Sequence, residues 1–149
     1  MSGPGVVKKY LNRISGPLLD RIDLHVEVTP VDYEELMKNN RNGEASNVVR
    51  ERVVRARDIQ RQRFHSWPSI FCNAQMPGRL VHHYCSLDSA GSSMLKMAME
   101  KLQLSARAYD RILKVARTVA DLEGKERIDV GHMAEAIQYR SLDREGWAG

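Results

Sequence analysis

One stretch of this chain alternates in the way a β-strand does. From Ile22 to Val28, apolar Ile22, Leu24, Val26 and Val28 interleave with polar Asp23, His25 and Glu27, the period of two that marks a half-buried strand. Later periodic stretches carry the helical spacing instead. A lone strand cannot satisfy its own edges. It therefore either pairs with strands belonging to a larger domain or frays, and the remainder must fold as packed helices. The expected fold class is mainly α, with one N-terminal strand.

The helical pattern can be followed along the chain. Ser15-Gly16-Pro17 reads as a break before the strand, and Thr29-Pro30 ends it. Val31 to Lys38 suits a short helix, and Asn39 to Gly43 a loop. Ser46 is the expected N-cap of a long helix to about His65, with Val49, Val53, Ala56, Ile59 and Phe64 at helical spacing. Trp67-Pro68-Ser69 breaks it, and residues 66–76 read as a loop with exposed aromatics. Pro77 to Tyr84 gives a short helix, and Asp88 or Ser89 opens another carrying Met94, Leu95, Met97, Ala98 and Leu102. The clearest helix follows Ser105 and runs from Ala106 to about Leu122, with Tyr109, Ile112, Leu113, Ala116, Val119 and Ala120 on one face. Gly124 stops it. Asp129 caps a last helix, and the tail after Arg140 is polar, with Trp147 isolated.

Composition excludes several classes. No run reaches the ~18 apolar residues a membrane span needs, which makes the cytoplasm the expected location. Two cysteines in 149 residues, Cys72 and Cys85, do not make a disulfide scaffold. Adjacent His82 and His83 would splay ~100° apart on a helix, so no metal site is expected. Met94, Met97 and Met99 read as core or interface filler. The net charge of +4 does not by itself indicate nucleic acid. The helix over residues 50–63 is more pointed, since Arg50, Arg52, Arg55, Arg57, Arg61 and Arg63 face only Glu51 and Asp58. Phosphate backbones attract such a surface; the alternative is a solvated helix with i,i+4 partners.

Arg21 sits in a turn before the strand, within Arg13-Ile14-Ser15-Gly16-Pro17-Leu18-Leu19-Asp20-Arg21-Ile22-Asp23-Leu24. A guanidinium with an anchored base and a free tip can reach across an interface to the charge developing on a γ-phosphate. It can equally pair with Asp20 or Asp23. No GxxxxGK[ST] loop is present, and Gly124-Lys125 lacks both the upstream glycine and the following Ser or Thr. The chain is therefore not expected to hydrolyse ATP by itself.

The segment RISGPLLDRIDLHVEV, residues 13–28, resembles the equivalent stretch of Mg-chelatase-like AAA+ ATPases. So does Leu104-Ser105-Ala106-Arg107-Ala108-Tyr109-Asp110-Arg111, continuing to Gly124, which is similar to that family's sensor-2 helix. Ala134-Glu135-Ala136-Ile137-Gln138-Tyr139-Arg140 resembles its closing helix. The matches together cover residues 7–143. The resemblance implies the helical-bundle lid of an AAA+ module: residues 1–30 end the core, 31–143 form the lid and 144–149 are a tail. It implies that Arg21 is an arginine finger acting in trans and that Arg107 is the sensor-2 arginine. Taking Tyr109 as the centre of the core face, Arg107, Arg111 and Lys114 fall opposite, at ~100° per residue. ATP and Mg²⁺ would be bound by the upstream core of the same protein, in a homo-oligomeric ring, a hexamer. Arg111 and Arg117 match the family pattern without an assigned role. The ATPase would act on DNA, by branch migration, or on a metal-insertion complex. The rival readings are a free-standing helical nucleic-acid module and a helical protein-interaction adaptor.

Overall fold

The computed structural model describes residues 14–26, 28, 30, 31, 33–37 and 43–140. The opening residues 1–13, the tail with Trp147, most of the expected 39–43 loop, and Glu27, the sixth residue of the expected strand, lie outside them. Among the described residues there are seven α-helices and one 3₁₀ turn: α1 (Gly16–Leu19), α2 (Tyr33–Met37), α3 (Ser46–Arg63), the 3₁₀ turn (Asn73–Gln75), α4 (Gly78–Tyr84), α5 (Ser89–Lys101), α6 (Ala106–Glu123) and α7 (Val130–Gln138). The fold is mainly helical.

The core forms around α6. Ala108, Ile112, Ala116 and Ala120 are all 0% exposed, a row at i+4 spacing that lets α3, α4, the 3₁₀ turn and α7 pack closely on one helix. α5 closes the bundle against α7. The buried line therefore passes through Ala108 and Ile112, with Tyr109 half-buried at its edge. The neighbouring row is Leu113, Arg117 and Asp121, also buried. The core face of α6 thus turns polar toward its C-terminal end.

The helix ends follow local chemistry. Ser105 Oγ accepts from Ala108 N–H at 3.2 Å, and Asp88 Oδ1 accepts from Gly91 N–H at 2.7 Å, each satisfying a donor left over in a first turn. Gly124 takes φ +74° to end α6, a left-handed conformation suited to glycine. α5 ends the same way without one. Gln103 has φ 49°, Leu104 N–H bonds Met99 O at 3.0 Å and Gln103 N–H bonds Glu100 O at 3.4 Å. That is the bond pair of a Schellman cap with glutamine in the place glycine usually fills.

Three local expectations are corrected. Ser46 is the first residue of α3, and Ala45 occupies the cap position with no side-chain bond. Val49 and Val53 are 37% and 41% exposed, because burial on α3 starts only at Ala56. Ser15-Gly16-Pro17 does not break the chain but starts α1. Leu18 N–H and Leu19 N–H both bond Ser15 O, at 3.0 and 3.1 Å, and proline is tolerated in a first turn, where its missing N–H is not needed.

Residues 22–26 form no strand. Leu24 and Val26 are 48% and 67% exposed, since no neighbouring strand among the described residues covers them. The segment is still held. His25 N–H bonds Tyr139 O at 2.7 Å, buried Arg140 donates to the carbonyls of Ile22 and Leu19, and Asp23 forms an ion pair with Arg111 on α6.

Candidate functional site

Arg21 projects from the turn after α1. Its backbone is anchored, with N–H bonded to Leu18 O at 3.0 Å, and its side chain is exposed. Of the two carboxylates that might hold it, Asp23 is taken by Arg111. Among the described residues Arg21 makes no side-chain hydrogen bond or ion pair.

Arg107 lies in the first turn of α6 and is exposed. It too makes no side-chain hydrogen bond or ion pair among the described residues. A cation there adds to the positive end of the helix dipole, which disfavours an arginine and favours an anion. Arg111, one turn on and in the same i,i+4 row, is not on a solvent face as expected, because the segment after α1 covers it through Asp23. Lys114 is likewise drawn in, donating to Ala74 O at 3.1 Å. Of the three cations read as one open face, Arg107 alone is exposed. The Asp23–Arg111 pair thus places the segment bearing Arg21 beside the helix bearing Arg107.

The arginines of α3 divide. Arg50, Arg55, Arg57 and Arg61 are exposed. Arg61 pairs with Asp58 at 2.8 Å. Arg52 grips Glu44 with two bonds of 2.6 and 2.9 Å, holding the Glu44 carboxyl below its ordinary range and its own pKa above. Arg63 turns inward and does not share the exposed surface. Its guanidinium donates to both oxygens of Asp121, at 2.7 and 2.5 Å, and to Asn73 Oδ1 at 2.8 Å.

Asp121, with a fully buried side chain, is the centre of a network that the sequence reading missed. It also accepts from Arg117 Nε at 3.1 Å and from Asn73 Nδ2 at 2.8 Å. Arg117 then donates to the carbonyls of Glu126 and Lys125, at 2.7 and 2.6 Å, fastening the turn after α6. Burial is the main influence on Arg117 and lowers its pKa, with Asp121 opposing. Buried Cys85 nearby has its thiol pushed up to about 12, chiefly by desolvation, so it is held as a neutral packing group. The available sequence signal was the i,i+4 spacing of Arg117 and Asp121 on a row continuous with apolar Leu113.

Glu123, Asp129 and His132 present their ligand atoms within 4.8 Å of one another. Both imidazole nitrogens are already used. Asp129 N–H donates to Nδ1 at 3.0 Å, and Nε2 meets the Glu123 carboxylate. His132 N–H donates in return to Asp129 Oδ1 at 3.0 Å. The cluster is a reciprocal cap of α7 tied to the end of α6.

Residues 43–140 match the family model described as magnesium chelatase, subunit ChlI C-terminal, and residues 2–36 match that of magnesium chelatase, subunit ChlI. The chain belongs to the magnesium chelatase ChlI C-terminal family. The competence protein ComM of Haemophilus influenzae is 41% identical over 143 residues, which is 96% of this chain and 27% of that protein. The uncharacterized protein YifB of Salmonella typhimurium is 39% identical over 141 residues, 95% of this chain and 27% of that protein. YifB of Escherichia coli is 38% identical over 141 residues, with the same coverage of 95% and 27%. The chain thus spans about a quarter of the length of these relatives. Among the described residues no helix is long and apolar enough to cross a membrane.

Proposed function

We propose that this chain is the lid and arginine-finger segment of an ATP-hydrolysing AAA+ ring protein of the cytoplasm, with the nucleotide held by an upstream core of the same protein. The observation that carries the reading is that Arg21 and Arg107 are both exposed and without a side-chain partner among the described residues, while Asp23 and Arg111 join the segments that bear them. Permanent guanidiniums presented in this way suit phosphate oxygens. ATP with Mg²⁺ would supply the phosphoryl chemistry in that core. Arg107 would neutralise phosphate charge from the lid, and Arg21 would reach the nucleotide of the neighbouring subunit. The exposed Leu24, Val26 and Val28, at 48%, 67% and 85%, suit a segment that completes its pairing on the core. The ring, a hexamer, would drive DNA remodelling of the branch-migration type. The exposed arginines of α3 favour DNA over a metal-insertion complex as its substrate.

The test uses the full-length protein. Arg21→Ala should still bind ATP but hydrolyse it slowly, since a finger supplied in trans is worth about 10³–10⁵ in rate. Mixing it with a variant that has an intact finger and a disabled phosphate-loop lysine should restore activity. Absence of rescue in mixed rings that demonstrably co-assemble would rule out action across the interface.

A further inference from the structure

Phe71 is 70% exposed, yet it sits on a firmly bonded loop. Its N–H donates to Gln75 Oε1 at 2.7 Å. Ahead of it, Trp67 N–H bonds Phe64 O at 2.8 Å and Ile70 N–H bonds Trp67 O at 3.0 Å. An aromatic ring held in water forgoes burial it could otherwise gain. The ring borders a groove of about 400 Å³ at the end of α3, floored by buried Phe64 and Ile70 and walled by Arg57, Arg61 and Trp67. The Arg79 guanidinium lies over the Trp67 ring, 5.4 Å from its centroid, and holds that wall in place.

Arg57 and Arg61 are one turn apart, and Arg50 lies two turns earlier on the same face at ~100° per residue. The row runs about 16 Å along α3. Asp58 is already engaged by Arg61. A ligand that satisfies both features must carry repeated negative charge and flat rings free to stack. Bases in a duplex stack on each other, whereas those of a single strand are open to an aromatic side chain.

We infer that this groove binds single-stranded nucleic acid, with Phe71 stacking a base and Arg50, Arg57 and Arg61 lying along the phosphates. It deepens the DNA-remodelling reading by placing a strand contact on the lid, and its test needs no ATP. Fluorescence anisotropy of the 149-residue chain against labelled oligo-dT, oligo-U and a hairpin duplex, across a salt series, reads it directly. The chain should bind either single strand more tightly than the duplex. Phe71→Ala should weaken binding about ten-fold, while Phe71→Tyr, which keeps the ring, should not. Arg57→Ala combined with Arg61→Ala should flatten the slope of log K against log salt by about 1.4, ~0.7 for each lost phosphate contact. Unchanged melting temperatures would show that the variants fold. Equal affinity for duplex and single strand, or unaltered binding by Phe71→Ala, would overturn the inference. So would no strand binding at low salt; if the full-length protein still hydrolysed ATP, that result would refute the groove and leave the ATPase reading standing.

Discussion

Asp23 and Arg111, 88 residues apart in the chain, form the ion pair that joins the segment after α1 to the long central helix. The pair is partly open to solvent, with side chains 48% and 28% exposed. Its contribution to stability is therefore small, on the order of 0.2–1 kcal/mol. Its geometric effect is larger, because it fixes the position of the chain two residues beyond Arg21.

On the proposed arginine-finger reading, Arg111→Ala should leave the melting temperature nearly unchanged while slowing ATP hydrolysis by the full-length protein, with ATP affinity retained. Restoration by Arg111→Lys would identify the charge contact as the cause. A large loss of stability with unchanged hydrolysis would instead make Arg111 a packing residue.

Asp121→Ala should destabilise the chain far more than Arg117→Met. Removing the one carboxylate leaves the Arg63 and Arg117 guanidiniums, 12% and 4% exposed, without a counter-charge, a situation that costs about 3–5 kcal/mol. Removing Arg117 leaves Asp121 still bonded to Arg63 and Asn73. Chemical denaturation of both variants checks the order; equal losses would show that the charge balance at Asp121 is not what matters.

Asp129 links the cap of α7 to pH. The His132 backbone N–H donates to its carboxylate and is the main reason its pKa lies below the ordinary 3.8. The unfolded chain therefore takes up the proton first as pH falls. The cap's contribution is fully present above the unfolded value and is lost as pH drops through the lower folded value. Asp129→Asn keeps an acceptor but does not titrate. Between about pH 5 and pH 3 the native chain should lose melting temperature faster than Asp129→Asn. Parallel curves would assign the acid sensitivity to other groups.

Much of the bundle was legible because its boundary signals are local. Ser105, Gly124 and Asp129 each act on backbone groups within a few residues, so α6 and the start of α7 could be read from short windows. The phase of α6 was harder. Tyr109 is large and apolar and drew the centre of the face toward itself, whereas small Ala108 and Ala116 let neighbouring helices approach. Arg63 was read with the exposed arginines because its partner Asp121 lies 58 residues away, and no periodicity within α3 reveals that. The strand pattern of Ile22 to Val28 is a genuine preference, but pairing requires a neighbouring strand that the described residues do not supply.

The late onset of burial along α3 divides one continuous helix into two thermal regimes. From Ser46 to Arg55 no residue is buried, and from Ala56 the helix is anchored to α6. Ten residues are too few to form a stable helix by themselves in water. The first half therefore depends on the second as its nucleus, and beyond the Arg52–Glu44 pair it should fray from its N-terminal end at temperatures where the bundle stays intact. A strand seated on Arg57 and Arg61 would lie at the root of that fraying arm, with Arg50 on the part that comes and goes.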